Sequence, residues 1–350
     1  MKVAVGLSGG VDSTLVALML KNQGCDVVGI SMSFYNSDLP ENEKQLTKAC
    51  YGRYEKQDIK DIHDWCLGQG IEHYTFDISE EFKKTVLAYF KQTYLSGATP
   101  NPCVFCNTYV KFGLLLEKAK QAGVIFDKFA TGHYARIVEK NGVYALARGL
   151  DEKKDQSYFL YRLTPEQLSH IVFPLGELTK EQVRDMAHQA GLIQADKQDS
   201  QDFYNGDYVD LLDKTPEQGD IILTNGQVLG KHNGFWNYTV GQRKGLGIAY
   251  PEPLYVVALD GEHNAVVVGT GEALFSDKCV LTDCVWHHGF PTGQVMIKYR
   301  STGQLVLGHL ETNGEQIILC FDEPQRALTP GQSAVIYRDD IVLGGGIILK

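Results

Sequence analysis

The chain of 350 residues contains no uncharged apolar run near the ~20 residues that a bilayer-spanning helix needs. It has no repeat of fixed period and no low-complexity tract, so neither a repeat array nor a biased tail is expected. Basic residues are not in excess. The net charge of −10 argues against a general nucleic-acid coat protein while leaving room for one basic groove. Eight cysteines are too few for a secreted disulfide framework of this length. An apolar stretch after Lys2 resembles a signal peptide, but two glycines and Asp12 interrupt it too early. With 43% hydrophobic and 22% charged residues, a cytoplasmic protein of two or three domains, not membrane-bound, is expected.

The first 150 residues alternate strand-like and helix-like stretches. Val3 to Leu7, Asp26 to Met32 and Ile125 to Thr131 read as strands, and Val11 to Lys21 as a helix stopped at Gly24. Helical patterns also cover roughly 42–68, 80–95 and 110–122. Such alternation indicates a parallel sheet covered on both faces. From about 164 to 192 the pattern is helical and turn-rich, with a capping box at Thr179 to Gln182. Beyond 215 the texture changes. Asn225-Gly226, Asp260-Gly261 and Asn313-Gly314 sit between β-branched runs, a strong hairpin signal. The expected architecture is an α/β doubly wound N-terminal domain over 1–205, its helical part at 150–205. Two small, mainly antiparallel β domains follow over 206–272 and 273–350.

The sharpest local signal is Gly6-Leu7-Ser8-Gly9-Gly10-Val11-Asp12-Ser13. A strand enters a Ser-Gly-Gly turn and a helix leaves it. Glycines bring consecutive N–H groups close to an anion, and the positive end of the helix dipole adds to the attraction. Ser8 and Ser13 offer hydroxyls, and Asp12 offers a ligand for a magnesium ion bridging phosphates. No lysine follows as in the G-x-x-x-x-G-K-[ST] loop, and the spacing is not G-x-G-x-x-G. Met32 is a candidate for packing on adenine or simply a core residue. Thr131-Gly132-His133-Tyr134 closes a later strand, where Gly132 permits close backbone approach and His133 offers a hydrogen bond. SGGVDS resembles the loop of the ATP-pyrophosphatase superfamily, whose members split ATP between its α- and β-phosphates.

Thr99-Pro100-Asn101-Pro102-Cys103-Val104-Phe105-Cys106-Asn107 precedes Lys111-Phe112-Gly113 and a helix. A C-x-x-C pair near a helix N-terminus gains thiolate character from the dipole, and Lys111 adds positive charge. The bland alternatives are half of a zinc site or two packed cysteines. No second C-x-x-C exists, since Cys279 and Cys284 are five apart. Cys25, Cys66, Cys279, Cys284 and Cys320 are expected to serve packing.

With this motif the resemblance becomes specific. The chain resembles the tRNA-specific 2-thiouridylases of the MnmA/TrmU family nearly end to end. SGGVDS, TPNP-x-x-x-CN-x-x-x-KFG, ATGHYAR, KDQSYFL, FPLGEL, TVGQRKGLGI and FDEP…TPGQSAV…LGGGII stand in family order. The resemblance implies that ATP, with Mg2+, adenylates the C2 oxygen of the wobble uridine in lysine, glutamate and glutamine tRNAs. Sulfur from a relay protein or cysteine desulfurase then replaces that oxygen as AMP leaves. It implies that Cys106 is the first catalytic cysteine, and that Asn101, Pro102 and Cys103 contact the target base. It further implies tRNA contacts at His133, Lys154, Asp155, Gln156, Lys298, Tyr299 and Gln332.

One departure matters. The family's second cysteine lies in a segment like S-Q-D-I-C-F, and Asp199 to Tyr204 here puts Tyr204 in its place. A phenol cannot carry a persulfide. Cys103 sits where many members have aspartate, so one repair makes Cys103 and Cys106 the persulfide and resolving pair. A second repair uses Cys103 and Cys106, with Cys50 or another thiol, to hold a four-iron, four-sulfur cluster with one open iron. The lost cysteine also admits a diverged paralogue that sulfurates another RNA or a small molecule. A non-catalytic tRNA-binding protein is a third reading, opposed by the intact glycine turn and cysteine pair.

Overall fold

A computed structural model of the chain describes residues 1–35, 55–140, 142–192, 203–204 and 206–349. Cys50 and the segment 193–202 lie outside the described residues. The chain divides into two units. One comprises Met1–Val86, Cys103–Asp207 and Asp340–Val342, the other Leu87–Pro102, Tyr208–Asp339 and Leu343–Lys350. Among the described residues, no helix is long and apolar enough to cross a membrane.

In the first unit the opening apolar run is strand β1 (Lys2–Gly6), with Val3, Ala4 and Val5 fully buried. A strand apolar on successive residues has no solvent face and belongs in the middle of a covered sheet. Helix α1 (Val11–Asn22) leads to β2 (Asp26–Ser33), and α2 (Glu55–Gly68) to β3 (Glu72–Asp77). Helix α3 (Ser79–Phe82) is followed by a π-helical turn, Lys83–Leu87, and the next helix, α4 (Ala88–Leu95), belongs to the second unit. Helices α5 (Pro102–Phe105) and α6 (Leu115–Gln121) flank a π-helical stretch, Cys106–Leu114. Strand β4 (Lys128–Ala130) is followed by the hairpin β5 (Ala135–Lys140) and β6 (Val143–Arg148). Next come α7 (Ser157–Leu160), α8 (Pro165–Ser169), β7 (Ile171–Val172) and α9 (Lys180–Gln189). The sheet order is β3-β2-β1-β4-β7, with every pairing parallel. Order reverses at β1, so the carboxyl ends of β1 and β4 flank the switch point where α/β sheets bind ligands. Leu15, Val16 and Leu20 of α1 pack with Val5 of β1, each buried side chain contributing roughly 1.5–3 kcal/mol.

In the second unit, β8 (Gly219–Leu223), β9 (Val228–His232), β10 (Tyr255–Asp260) and β11 (Ala265–Gly269) form one sheet in the order β10-β11-β8-β9. The expected hairpins at Asn225-Gly226 and Asp260-Gly261 join β8 to β9 and β10 to β11. The two hairpins meet through a parallel pairing of β11 with β8, where an antiparallel texture is expected. Strands β12 (Phe275–Trp286), β13 (Val295–Lys298), β14 (Val306–Asn313), β15 (Gln316–Arg326), β16 (Ser333–Arg338) and β17 (Ile341–Ile348) follow. They run in the order β12-β15-β14-β13-β16-β17, and β12 pairs again with β17, closing a barrel. Closure needs a bend in β12, provided by register shifts at Ser276/Lys278 and Thr282/Val285. Leu281, Ile297, Leu319, Ile336 and Ile348 fill the interior.

Three local expectations are revised. The cysteine-bearing helix starts at Pro102 rather than near 110, because proline suits a first helical turn. The strand expected over 125–131 shrinks to Lys128–Ala130. Ile171–Val172, inside a region expected to be helical, adds an edge strand.

A hydrogen-bond relay anchors the end of β1. Ser31 Oγ donates to the Leu7 carbonyl (2.8 Å) and therefore accepts from His73 Nε2 (2.9 Å). That leaves His73 Nδ1 to accept from His63 Nδ1 (3.4 Å). Burial, with the His63 charge second, holds His73 down to about 4 from the ordinary 6.5. Between those values the unfolded chain binds a proton that the folded chain refuses. Stability is therefore full above the ordinary value and is lost as pH falls toward the depressed one. The urea midpoint should drop across that window, and His73→Gln should make the decline shallower.

Candidate active site

The turn after β1 separates its apolar and polar residues by face. Leu7 and Val11 are buried in the core at 5% and 3% exposure and Gly9 is buried as well, which leaves Ser8, Gly10 and Asp12 to form the surface of the turn. Gly9 takes a left-handed φ of 74°, a conformation that glycine adopts without steric cost. Ser13 Oγ accepts from the Ser8 N–H (3.2 Å) and donates to the Gly10 carbonyl (3.2 Å), closing the turn on itself. Gly10 is the N-cap of α1 and has no side chain to cover the first amides of that helix. An uncovered N-terminus of a twelve-residue helix carries partial positive charge and suits an anion. Met32, half-buried near the end of β2, pairs in register with Phe76 of β3.

Asp12 is tightly held. Lys180 Nζ donates to both carboxylate oxygens (2.8 and 2.9 Å), and the Tyr134 hydroxyl donates to Oδ1 (2.9 Å). Lys180 is 7% exposed and lies 5.6 Å from the Tyr134 ring centroid. It occupies the first position of α9, behind the Thr179–Gln182 capping box, which is present. A lysine there opposes the helix dipole, and Asp12 offsets that cost. A side chain from the first turn of α9 thus reaches a carboxylate in the first turn of α1, while the Lys180 backbone N–H donates to Asp151 Oδ2 (2.9 Å). The capping box was legible in sequence, but the lysine inside it gave no sign of where it reaches.

The loop after β4 packs directly on this group. A Cβ on Gly132 would lie 2.9 Å from Asp12 Cβ and 3.0 Å from the Ser13 nitrogen, so no larger residue fits. His133, next in sequence, accepts from Lys111 Nζ at Nε2 (3.5 Å), which leaves Nδ1 to donate to Thr131 Oγ1 (2.7 Å). Burial, then the Lys111 charge, pushes its pKa well below the ordinary histidine range, so the ring is neutral. Phe112 and Phe173 flank it.

Lys111 belongs to the cysteine helix. Cys103 lies in its first turn and Cys106 opens the π-helical stretch, both half-buried. Positions three apart on a helix are neighbours, with Cβ atoms about 5–6 Å apart. In an α-helix Cys106 and Lys111 would point about 140° apart, whereas i→i+5 winding stacks them. Asn107, buried, donates to the Phe159 carbonyl (3.2 Å) and ties this helix to the KDQSYFL segment.

The other expected site residues are distributed as follows. Asp155 is 8% exposed and accepts from Gly149 N (3.0 Å), Ser157 N (3.1 Å) and Ser157 Oγ (3.0 Å). Gln156 Oε1 accepts from Tyr134 N (2.9 Å), and Gln156 N donates to the Tyr134 carbonyl (2.8 Å). The Gln156 side chain thus supports Tyr134, Asp155 fixes the turn around it, and Lys154 is half-exposed. In the second unit, buried Asn101 donates its N–H to Tyr89 Oη (3.2 Å). Pro102, which follows it, starts α5. Gln332 Nε2 donates to the carbonyls of Thr99 (3.2 Å) and Pro100 (3.1 Å). Lys298 is buried at the end of β13, and the Tyr299 hydroxyl donates to Gln325 (3.1 Å). Tyr204 is 3% exposed, and Gly206 lies so close that a Cβ there would reach 2.4 Å from its ring.

Three family models match successive parts of the chain. They are described as a tRNA methyl transferase HUP domain (residues 1–204), a tRNA methyl transferase PRC-barrel domain (211–270) and an aminomethyltransferase beta-barrel domain (276–348). The chain is similar to the tRNA-specific 2-thiouridylase MnmA of Endomicrobium trichonymphae, at 43% identity across 100% of this chain and 99% of that protein. Similarity to the proteins of the same name from Syntrophotalea carbinolica and Carboxydothermus hydrogenoformans is 44% and 42%. Those matches cover 99% and 100% of this chain and 98% of each relative.

The Asp12–Lys180 pair yields a test independent of any reaction. Lys180→Met, Asp12→Asn and the double variant, compared by urea unfolding, should give a coupling of about 1–3 kcal/mol. Additive single losses would show that the pair is not held as described.

Proposed function

The chain belongs to the family of tRNA-specific 2-thiouridylases, transferases acting on tRNA uridine, and from that premise we propose the following course of reaction. ATP binds with its phosphates at the glycine turn, Ser8 to Ser13, and its adenine near Met32. The C2 carbonyl oxygen of the wobble uridine attacks the α-phosphorus, and pyrophosphate leaves. The observation that carries this reading is the loop after β4. Its Gly132 packs on Asp12 of the turn, while its His133 reaches Lys111 of the cysteine helix.

Lys180 has a definite place in this scheme. A bare Asp12 carboxylate would repel a triphosphate; bonded to Lys180 it presents no net charge to the incoming polyanion. The same carboxylate fits Mg2+, which keeps most of its water and takes one or two carboxylates beside phosphate oxygens. Bound there, the ion would neutralise phosphate charge, with Asp12 as its protein ligand and Lys180 turned to the phosphates.

Sulfur transfer falls to Cys103 and Cys106. A relay protein or cysteine desulfurase loads Cys103 as a persulfide. Its terminal sulfur adds to C2, and AMP departs with the former carbonyl oxygen. The Cys106 thiolate then attacks the Cys103 sulfur, the S–S bond to the transferred atom breaks, and C2=S remains. A Cys103–Cys106 disulfide results, which an external thiol must reduce. Placement at the start of a helix favours both thiolates. Tyr204, buried against Gly206, replaces the family's second thiol with a packing residue, so the paired cysteines do without it. The substrates are the lysine, glutamate and glutamine tRNAs, met in the cytoplasm. Lys154, Lys298 and Tyr299 supply contacts, while Asp155, Gln156 and Gln332 position their neighbours.

Cys106→Ser should abolish 2-thiouridine formation, scored by mass spectrometry of tRNA nucleosides, while leaving tRNA affinity nearly unchanged. Cys103→Ser should do the same; full activity with a persulfide donor would exclude the paired-cysteine route. Asp12→Ala should block release of pyrophosphate itself. Chain purified anaerobically should be colourless, iron-free and fully active.

A further inference from the structure

Strands β14 and β15 of the barrel alternate cleanly between inside and outside. Leu310, Leu319 and Phe321 point into the core, so His309, Glu311 and Cys320 share the outer face. His309 and Cys320 are directly opposed in the ladder, and Glu311 is two residues beyond His309 on the same side. His309 Nε2 lies 3.2 Å from Glu311 Oε1. A nitrogen, an oxygen and a sulfur donor, one from each residue, all fall within 4.8 Å of one another.

This is a borderline-soft donor set with the spacing of a metal centre. Tetrahedral zinc distances put neighbouring donors about 3.3–3.6 Å apart, so the trio needs to close by roughly 1 Å. His309 and Glu311 are exposed and sit on short side-chain levers, whereas Cys320 is half-buried on a paired strand. Hard cations such as Mg2+ prefer all-oxygen shells and are disfavoured by the thiol and imidazole. Lys278 opposes Cys320 from β12, on the side away from His309, so it flanks the donors rather than standing among them. Asp277 adds negative charge nearby.

We propose that His309, Glu311 and Cys320 form a surface site for one divalent ion of the zinc class, with a fourth position open to solvent. On binding, the thiol proton passes to water and the thiolate, imidazole and carboxylate bond the ion. The site is separate from sulfur transfer in its residues and does not rest on that reading. Because its donors come from both β14 and β15, the ion clips the two strands together and stabilises the barrel in proportion to its occupancy.

Co2+ serves as a spectroscopic stand-in for zinc. The full-length Cys103→Ser/Cys106→Ser variant removes the reactive helix thiols as competitors. With Co2+ it should show a thiolate-to-cobalt charge-transfer band at one equivalent. Adding Cys320→Ser should abolish that band, and adding His309→Ala should weaken Co2+ and Zn2+ binding at least tenfold. Circular dichroism should confirm that each variant stays folded, as expected for outward-facing positions. A band that survives Cys320→Ser, or the absence of any band before it, overturns the proposal.

Discussion

A carboxylate in the first turn of α1, clamped by one buried lysine from the first turn of α9, is the constraint on which the described site depends. Asp12 alone would fill the anion-binding end of α1 with its own charge. Lys180 removes that charge without removing the group. The arrangement extends outward in layers. Tyr134 bonds Asp12, Gln156 brackets the backbone of Tyr134, and Asp155 fixes the strand end and turn on either side of Gln156. Asp155 and Gln156, which the resemblance offers as tRNA contacts, thus also form the scaffold behind the glycine turn.

The loop after β4 then joins the glycine turn to the cysteine helix. Gly132 must be small because Asp12 and Ser13 lie against it. His133 must stay neutral because a lysine bonds one ring nitrogen and aromatic rings surround it. A neutral imidazole beside Lys111 leaves the lysine charge uncancelled, and that charge lies one π-helical turn from Cys106.

What the sequence made legible follows from local chemistry. Consecutive apolar residues at Val3–Val5 read as a central strand, and three Asx-Gly pairs marked three hairpins. The C-x-x-C pair reads as lying near a helix N-terminus, but the helix starts at Pro102, ahead of the pattern over 110–122, because a first-turn proline adds nothing to the periodicity. Strand Ile171–Val172 escaped because two residues carry no periodicity. The hairpin β5–β6 was also missed, although Asn141-Gly142 is the same dipeptide signal that succeeded elsewhere. Lys180 was invisible for a different reason. Its partner lies 168 positions away, and nothing in a capping box says where its second residue points.

The proline loop at residues 99–102 shows how segments far apart in sequence complete each other's hydrogen bonds. Thr99, Pro100 and Pro102 cannot close a regular hydrogen-bond pattern, since proline lacks an N–H. The segment 329–332 supplies what is missing. Thr99 N donates to the Pro330 carbonyl (2.8 Å), and the Gln332 amide satisfies the Thr99 and Pro100 carbonyls. Gly331, at φ 88°, has no room for a Cβ, which would stand 2.6 Å from the Thr99 oxygen. Strands β15 and β16 on either side of residues 329–332 hold that segment, so the backbone of the proline loop is fixed by residues as far as 233 positions away in sequence.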